Sequence, residues 1–414
     1  MKSYELGSQL NYQVGRELNH PESFGKDIAL KFDAGEVESG KYGKAKVQGH
    51  FLLVNRYGEF PPVSVEQVKE LANDWISEIG DNWIGEIELE EYCTVSEKCN
   101  IPGVVSYGAP GVAPEDLKLS FYFNVAAFLL DDAICKFKNL NKDNPNLHLK
   151  VIQQVVEAIA FIIKEYGEKD ITVSQYTTLD PIFKTSCVAF SETCKQALGK
   201  TDVHYFMQEL VNYVRANKWE EEYLNTPDRY RDIPYTKDDF LFLRSFDVGV
   251  SPVIEAVSLS LGTILSAEIR GHPFFQRYYR QMVSTLPGIH NDVLSLRKEI
   301  VDDEKMNFVL VECRKHSFQE SIDKVVKKIN NRVIKIREAE LKLTSYFPNN
   351  PDLEKFIKNI EYMIDGLLYW HCTSPRYGDI KFECYTVEHK PGTFLEQPLL
   401  TNRESMKEAA YLGG

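Results

Sequence analysis

Two stretches of the chain, 121–130 and 155–163, are apolar on nearly every side when coiled into helices. A helix of that kind offers no face to water, so it needs neighbouring helices all around it. The requirement calls for a multi-helix bundle with a sizeable interior. The chain beyond Pro62 supplies the other helices. Ser64-x-x-Gln67 is a capping-box pattern, and Val65, Val68, Leu71, Trp75, Ile76 and Ile79 follow on one face. Helical periodicity recurs over 115–139, 147–165, 187–198, 203–214, 238–246, 252–269, 274–285, 292–301, 307–343 and 352–370, with Pro and Gly clusters between. The expectation is an all-α domain over 61–400 with a tail at 401–414.

The first sixty residues have a different grain. Segments 28–32 and 44–54 are strand-like and flank the Gly- and Glu-rich stretch 34–43. Residues 1–60 therefore read as an N-terminal extension, irregular or carrying a short β-hairpin.

Composition narrows the function classes. Lys+Arg 48 against Asp+Glu 61 leave a net charge of −13, which argues against a nucleic-acid partner while leaving room for a locally basic pocket. No uninterrupted apolar run approaches the roughly 20 residues that span a bilayer, so stable membrane insertion is not expected. Residues 1–24 are polar and lack the apolar core of a secretory signal. The eight cysteines are scattered without a C-x-x-C pair, which fits buried thiols in a reducing, cytoplasmic setting.

Four constellations carry chemistry. Asp131 and Asp132 close the apolar run 121–130. Two carboxylates there either face water at a helix end or are compensated by a hard cation such as Mg²⁺. Asn291, Ser295 and Glu299 recur at every fourth position, each step drifting about 40° around a helix. Their amide, hydroxyl and carboxylate oxygens line one stripe, either as a solvated face or as a metal site. Arg244 ends a mostly apolar helical run just ahead of Asp247-Val248-Gly249 and Pro252. It is either paired with Asp247 or Glu255, or held ready for a phosphate group. Arg376-Tyr377 follows the last helix and offers guanidinium and phenol donors, unless it is a plain surface loop.

In their order and setting these four features resemble class I terpene synthases of the microbial type, a branch also found in octocorals. Asp131-Asp132 is similar to the aspartate-rich motif, and Asn291/Ser295/Glu299 to the second metal motif at full spacing. Arg244 resembles the diphosphate sensor, Asp247 the linker and Val248 the effector. Arg376-Tyr377 is similar to the late Arg-Tyr pair, and Lys298 to the basic residue before the motif's Glu. The positions where the family usually carries a third acid hold Cys135 and Lys136 here.

The resemblance implies a class I helical bundle around a central cavity and a linear prenyl diphosphate as substrate. It implies three Mg²⁺ ions, with Mn²⁺ as the alternative, held by Asp131, Asp132, Asn291, Ser295 and Glu299. Diphosphate oxygens would meet Arg244, Lys298, Arg376 and Tyr377, and the ionised chain would cyclise in a dry pocket. Phe123, Ala127, Phe128 and Trp370 are the first candidates for its wall, with Phe121, Tyr122, Tyr205, Phe206 and Tyr369 behind them. Small residues at Ala126 and Ala127, about one turn before Asp131, favour the C20 (geranylgeranyl) diphosphate over the C15 (farnesyl) one. Two rivals remain open: a prenyl chain-elongating synthase, and a helical binding protein without chemistry. A homodimer is an open expectation.

Overall fold

The computed structural model describes residues 26–55, 64–82, 86–165, 181–224, 236–302 and 305–388. The expected tail at 401–414, the start of the extension and Pro234-Tyr235 lie outside the described residues.

Strands β1 (Lys26–Ser39) and β2 (Gly43–Leu52) open the fold as a long hairpin. Helices follow in chain order: α1 (Val65–Asn82), α2 (Glu86–Lys98), α3 (Ile101–Gly108), α4 (Lys118–Leu140), α5 (Pro145–Glu165), α6 (Lys184–Ala197), α7 (Val203–Leu224), α8 (Lys237–Asp247) and α9 (Val250–Ser260). The short α10 (Ala267–Gly271) and α11 (Pro273–Gln276) lead into a π-helical stretch, Arg277–Val283. Then come α12 (Leu286–Leu294), α13 (Leu296–Val301), α14 (Phe308–Glu312), α15 (Phe318–Tyr346), α16 (Pro351–Thr373) and the strand β3 (Lys381–Glu388).

The all-α expectation holds for the bundle. On α4, Phe121, Tyr122, Phe123, Val125, Ala126 and Leu130 are each within 1% of full burial. Helix α5 carries an apolar window, Asn146–Lys164, with mean hydropathy 1.3 and enough length to cross a bilayer, yet it packs against α6 and α7. Expected helix 252–269 is interrupted because the chain turns at Gly262, whose φ is +61°. Expected helix 307–343 divides at 313–317, and Ser317 opens α15 with a capping box to Glu320.

The β-hairpin expected in the extension is present, and a third strand joins it. The Gly- and Glu-rich stretch forms the end of β1, with a bulge after Asp33, and the turn at 40–42; the sheet has the order β2-β1-β3, antiparallel throughout. β3, which the sequence reading placed inside the all-α domain, pairs Cys384 with Leu30 and Lys381 with Asp33. Helix α15 holds the sheet from beneath: Asn330 accepts from the Leu52 amide at 2.8 Å and donates to the His50 carbonyl at 3.0 Å. Arg337 pairs with Asp27 at 2.9 Å, and Asp365 of α16 accepts from the Val54 and Asn55 amides at 2.8 Å each. The described part of the extension is thus built into the bundle.

Candidate active site

Four separate segments meet at one end of the bundle, and a chain of polar contacts joins them. At the end of α4, Asp131 Oδ2 lies 2.7 Å from Arg376 Nη2 and Asp132 Oδ1 lies 3.0 Å from Arg376 Nη1. One planar guanidinium thus bridges both carboxylates, a geometry lysine lacks. The Arg376 side chain is only 6% exposed, with its guanidinium over the Phe128 ring at 5.1 Å. Phe128 in turn packs against Trp370 at 5.7 Å, and the Trp370 indole donates to the Cys99 carbonyl.

The neighbouring Tyr377 carries the chain onward, because Asn291 Nδ2 donates to its hydroxyl at 3.1 Å. Ser295 Oγ donates to the Asn291 carbonyl at 2.6 Å and lies 3.5 Å from Asn291 Oδ1. It also lies 2.5 Å from Glu299 Oε1. The expected single helix 292–301 breaks at Ser295, where the hydroxyl bonds back to the preceding turn. The three oxygen donors nonetheless stay together. Burial, and then the charge of Asp292, push the Glu299 carboxyl up to about 7.

Two residues that the sequence reading did not single out complete the network. Asn307 Nδ2 donates to Glu299 Oε2 at 2.6 Å and to the Asp292 carbonyl at 2.5 Å. Asp292, fully buried, accepts from the Phe308 amide at 3.0 Å and from Arg244 Nη2. Arg244 Nη1 reaches Asp247 Oδ1 at 3.1 Å, and burial pushes the Asp247 carboxyl up to about 6. Of the two partners considered for Arg244, Asp247 is present, whereas Glu255 pairs with Arg270 at 2.9 Å. The signal for Asp292 was its place beside Asn291, and for Asn307 the N-cap of α14, whose first amides it receives.

At the α8–α9 break, Gly249 adopts φ +72°, and a Cβ there would lie 3.3 Å from the Tyr213 ring. Val248 packs against Gly288, where a Cβ would come within 3.1 Å, so glycine lets α12 approach the break. Phe123 is buried against Phe206 and Tyr213, and Ala127 is half-buried with its carbonyl accepting from the Tyr213 hydroxyl at 3.2 Å. Three of the further aromatic candidates point elsewhere: Phe121 and Tyr122 pack towards Trp75 of α1, and Tyr205 stacks on Arg270. Lys298 does not join the network; its ammonium lies 3.0 Å from Asp302. Cys135 is half-buried, and Lys136 faces Glu91 at 3.8 Å.

The donor set suits a hard cation with an anionic ligand. Among the described residues no three Asp, Glu, His or Cys side chains form a ready-made cage. A metal here would draw on the amide and hydroxyl oxygens of Asn291 and Ser295 as well as on carboxylates. Among the described residues, Arg244 Nε and Asp247 Oδ2 are buried without a hydrogen-bond partner, a costly arrangement that an added polar ligand would relieve.

Residues 122–335 match the profile described as terpene synthase family 2, C-terminal metal binding. The chain belongs to the class I terpene synthases. A 144-residue stretch is 28% identical to Terpene synthase 7 of Dictyostelium purpureum, covering 34% of this chain and 43% of that one. Germacrene A synthase of Nostoc punctiforme is 24% identical over 272 residues, covering 64% of this chain and 77% of that one. The fold is similar to 2-methylisoborneol synthase from Streptomyces coelicolor, solved with Mg²⁺ and 2-fluoroneryl diphosphate, with TM-score 0.57 at 17% identity over 77% of this chain and 95% of that one. The class I bundle of the terpene synthases is therefore the fold of this chain, and the family implies a prenyl diphosphate substrate and a divalent metal.

Proposed function

We propose that this terpene synthase ionises farnesyl diphosphate and cyclises the resulting cation to a C15 product, with three Mg²⁺ ions as cofactor. The observation that carries this reading is the continuous contact path from Asp131-Asp132 through Arg376-Tyr377 to Asn291, Ser295 and Glu299. It gathers acidic, amide and hydroxyl oxygens on two walls of one site, with cationic donors between them. Asp131 and Asp132 would hold metal on one wall and Asn291, Ser295 and Glu299 on the other. Bound Mg²⁺ supplies positive charge that stabilises a departing diphosphate.

The side chains do the rest. Arg376 shares its five donors between the aspartates and diphosphate oxygens, and Tyr377 accepts from Asn291 while directing its own proton to the same group. Arg244 presents its Nε–H, which neither carboxylate partner engages among the described residues. As the C–O bond breaks, its electron pair leaves with the diphosphate and the positive charge spreads over the allylic carbons. The rings of Phe128 and Trp370 offer a negative face to that charge without a nucleophile to quench it.

Chain length rests on what surrounds Ala127. Ala126 is fully buried, and the buried Tyr213 packs beside Ala127 with its hydroxyl donating to the Ala127 carbonyl. That packing favours a shorter tail than the two alanines suggested, and the similarity to a synthase of germacrene A, a C15 hydrocarbon, supports the shorter substrate.

The test is incubation of purified protein with Mg²⁺ and the C10, C15, C20 and C25 diphosphates, followed by mass spectrometry of volatiles. A cyclic C15 product made without isopentenyl diphosphate is expected. Product only with isopentenyl diphosphate present would mean chain elongation. Asp131→Ala and Asn291→Ala should each cut turnover more than about a hundredfold while the far-UV circular dichroism stays native. Full activity in either removes the metal assignment.

A further inference from the structure

The hairpin lies ahead of the stretch that matches the family profile, yet it touches two of the site's four segments. Along β1, Asp33 faces Gln48 and Glu36 faces Lys46, so Ala34 and Gly35 stand opposite Val47 alone. This is a β-bulge, which takes a backbone group out of the ladder and re-aims it. Gly35 supplies the left-handed residue at φ +84°, and Asp33 Oδ1 accepts its amide at 2.8 Å. The Ala34 carbonyl then receives Arg297 Nη1 at 3.1 Å. Arg297 sits on α13 between Ser295 and Glu299.

The second contact is aromatic. Phe51 of β2, fully buried, stacks on Phe32 at 4.3 Å with ring planes 12° apart, and meets the His290 ring at 4.9 Å. His290 immediately precedes Asn291, and neither of its ring nitrogens has a hydrogen-bond partner among the described residues. Packing against Phe51 is therefore a main restraint on that ring. The hairpin grips the metal-motif segment at both ends.

The same β1 strand pairs along its other edge with β3, from Asp33 opposite Lys381 to Lys26 opposite Glu388. β3 leaves directly from the loop that carries Arg376 and Tyr377. We infer that the hairpin is a positioning element of the active site: through Arg297 and Phe51 it sets the distance between Asn291/Ser295/Glu299 and Arg376/Tyr377. The inference rests on the proposed role of those residues in holding diphosphate and metal.

Calorimetric titration of the full-length protein with inorganic pyrophosphate in excess Mg²⁺ tests it, alongside thermal melts of the apoprotein. Arg297→Ala and Phe51→Leu should each weaken pyrophosphate binding about fivefold, the equivalent of one net hydrogen bond or contact. In turnover, KM should rise more than kcat falls, and Arg297→Lys should recover most of the loss. Wild-type affinity in both Arg297→Ala and Phe51→Leu overturns the inference. So does a loss that merely tracks melting temperature and is not rescued by lysine. Should Phe51→Leu fail to fold, the surface variant Arg297→Ala decides alone. Asn291→Ala serves as reference: undiminished pyrophosphate binding there overturns the proposed function instead.

Discussion

Asn291 donates its side-chain amide to the hydroxyl of Tyr377 at 3.1 Å, across 86 positions of sequence. That bond ties the Asn291/Ser295/Glu299 segment to the loop of Arg376 and Tyr377, and Arg376 ties both to the aspartates.

Because the guanidinium of Arg376 engages two carboxylates at once, Arg376→Lys should behave as a severe change. A lysine reaches one carboxylate as a point charge and leaves the other unpaired. We expect kcat/KM to fall about tenfold to a hundredfold, with Arg376→Ala lower still. Steady-state kinetics at saturating Mg²⁺ measure it; a lysine variant within twofold of wild type would show the fork to be dispensable.

Asp292 is fully buried and holds both Arg244 and the start of α14. Removing it strands a buried guanidinium. Asp292→Ala should cost about 3–5 kcal/mol in urea unfolding, as for other buried pairs broken on one side. A loss below about 1 kcal/mol would mean that Asp247 alone compensates Arg244.

Burial pushes His371 down to about 4, although its Nδ1 donates to the Leu367 carbonyl at 2.6 Å. The folded state therefore keeps this ring neutral where an unfolded chain, titrating near 6.5, takes up a proton. Between those values the unfolded state binds more protons, so stability falls as pH drops. From pH 7 to pH 5 this histidine alone should remove about 2 kcal/mol. His290, lowered by burial to about 3, acts in the same direction. His371→Gln should flatten the acid side of a plot of melting temperature against pH; an unchanged slope would place the proton elsewhere.

The Tyr213 hydroxyl donates to the Ala127 carbonyl, which places its ring beside that alanine. Tyr213→Ala should raise the ratio of C20 to C15 turnover by about tenfold or more, while Tyr213→Phe, which keeps the ring, should leave it near wild type. Competition between the two diphosphates, read by mass spectrometry, gives the ratio directly.

The bundle and most of the site were legible because they rest on local patterns. Fully apolar helices announce an interior, and Asn291, Ser295 and Glu299 declare themselves by spacing. Asp292 did not, because its importance lies in what faces it across the fold, not in any periodicity of its own. Lys298 has the expected place in sequence; its ammonium pairs with Asp302 one turn on and also feels the charges of Arg376 and Asp131. β3 was hidden for a related reason: its alternation is short, and its partner strand lies at the other end of the chain. The break at Ser295 was equally silent, since a hydroxyl bonding back along a helix looks like any other serine on the page.

That distant partnership bears on how the molecule is made. Lys31 and Glu383 face each other across 352 positions. A chain emerging from the ribosome must therefore keep one edge of β1 unpaired until β3 has been synthesised. Closing so long a loop is slow, and β3 brings Arg376 and Tyr377 with it. The segment carrying Arg376 and Tyr377 thus takes its place only after residues 352 positions apart have been brought together.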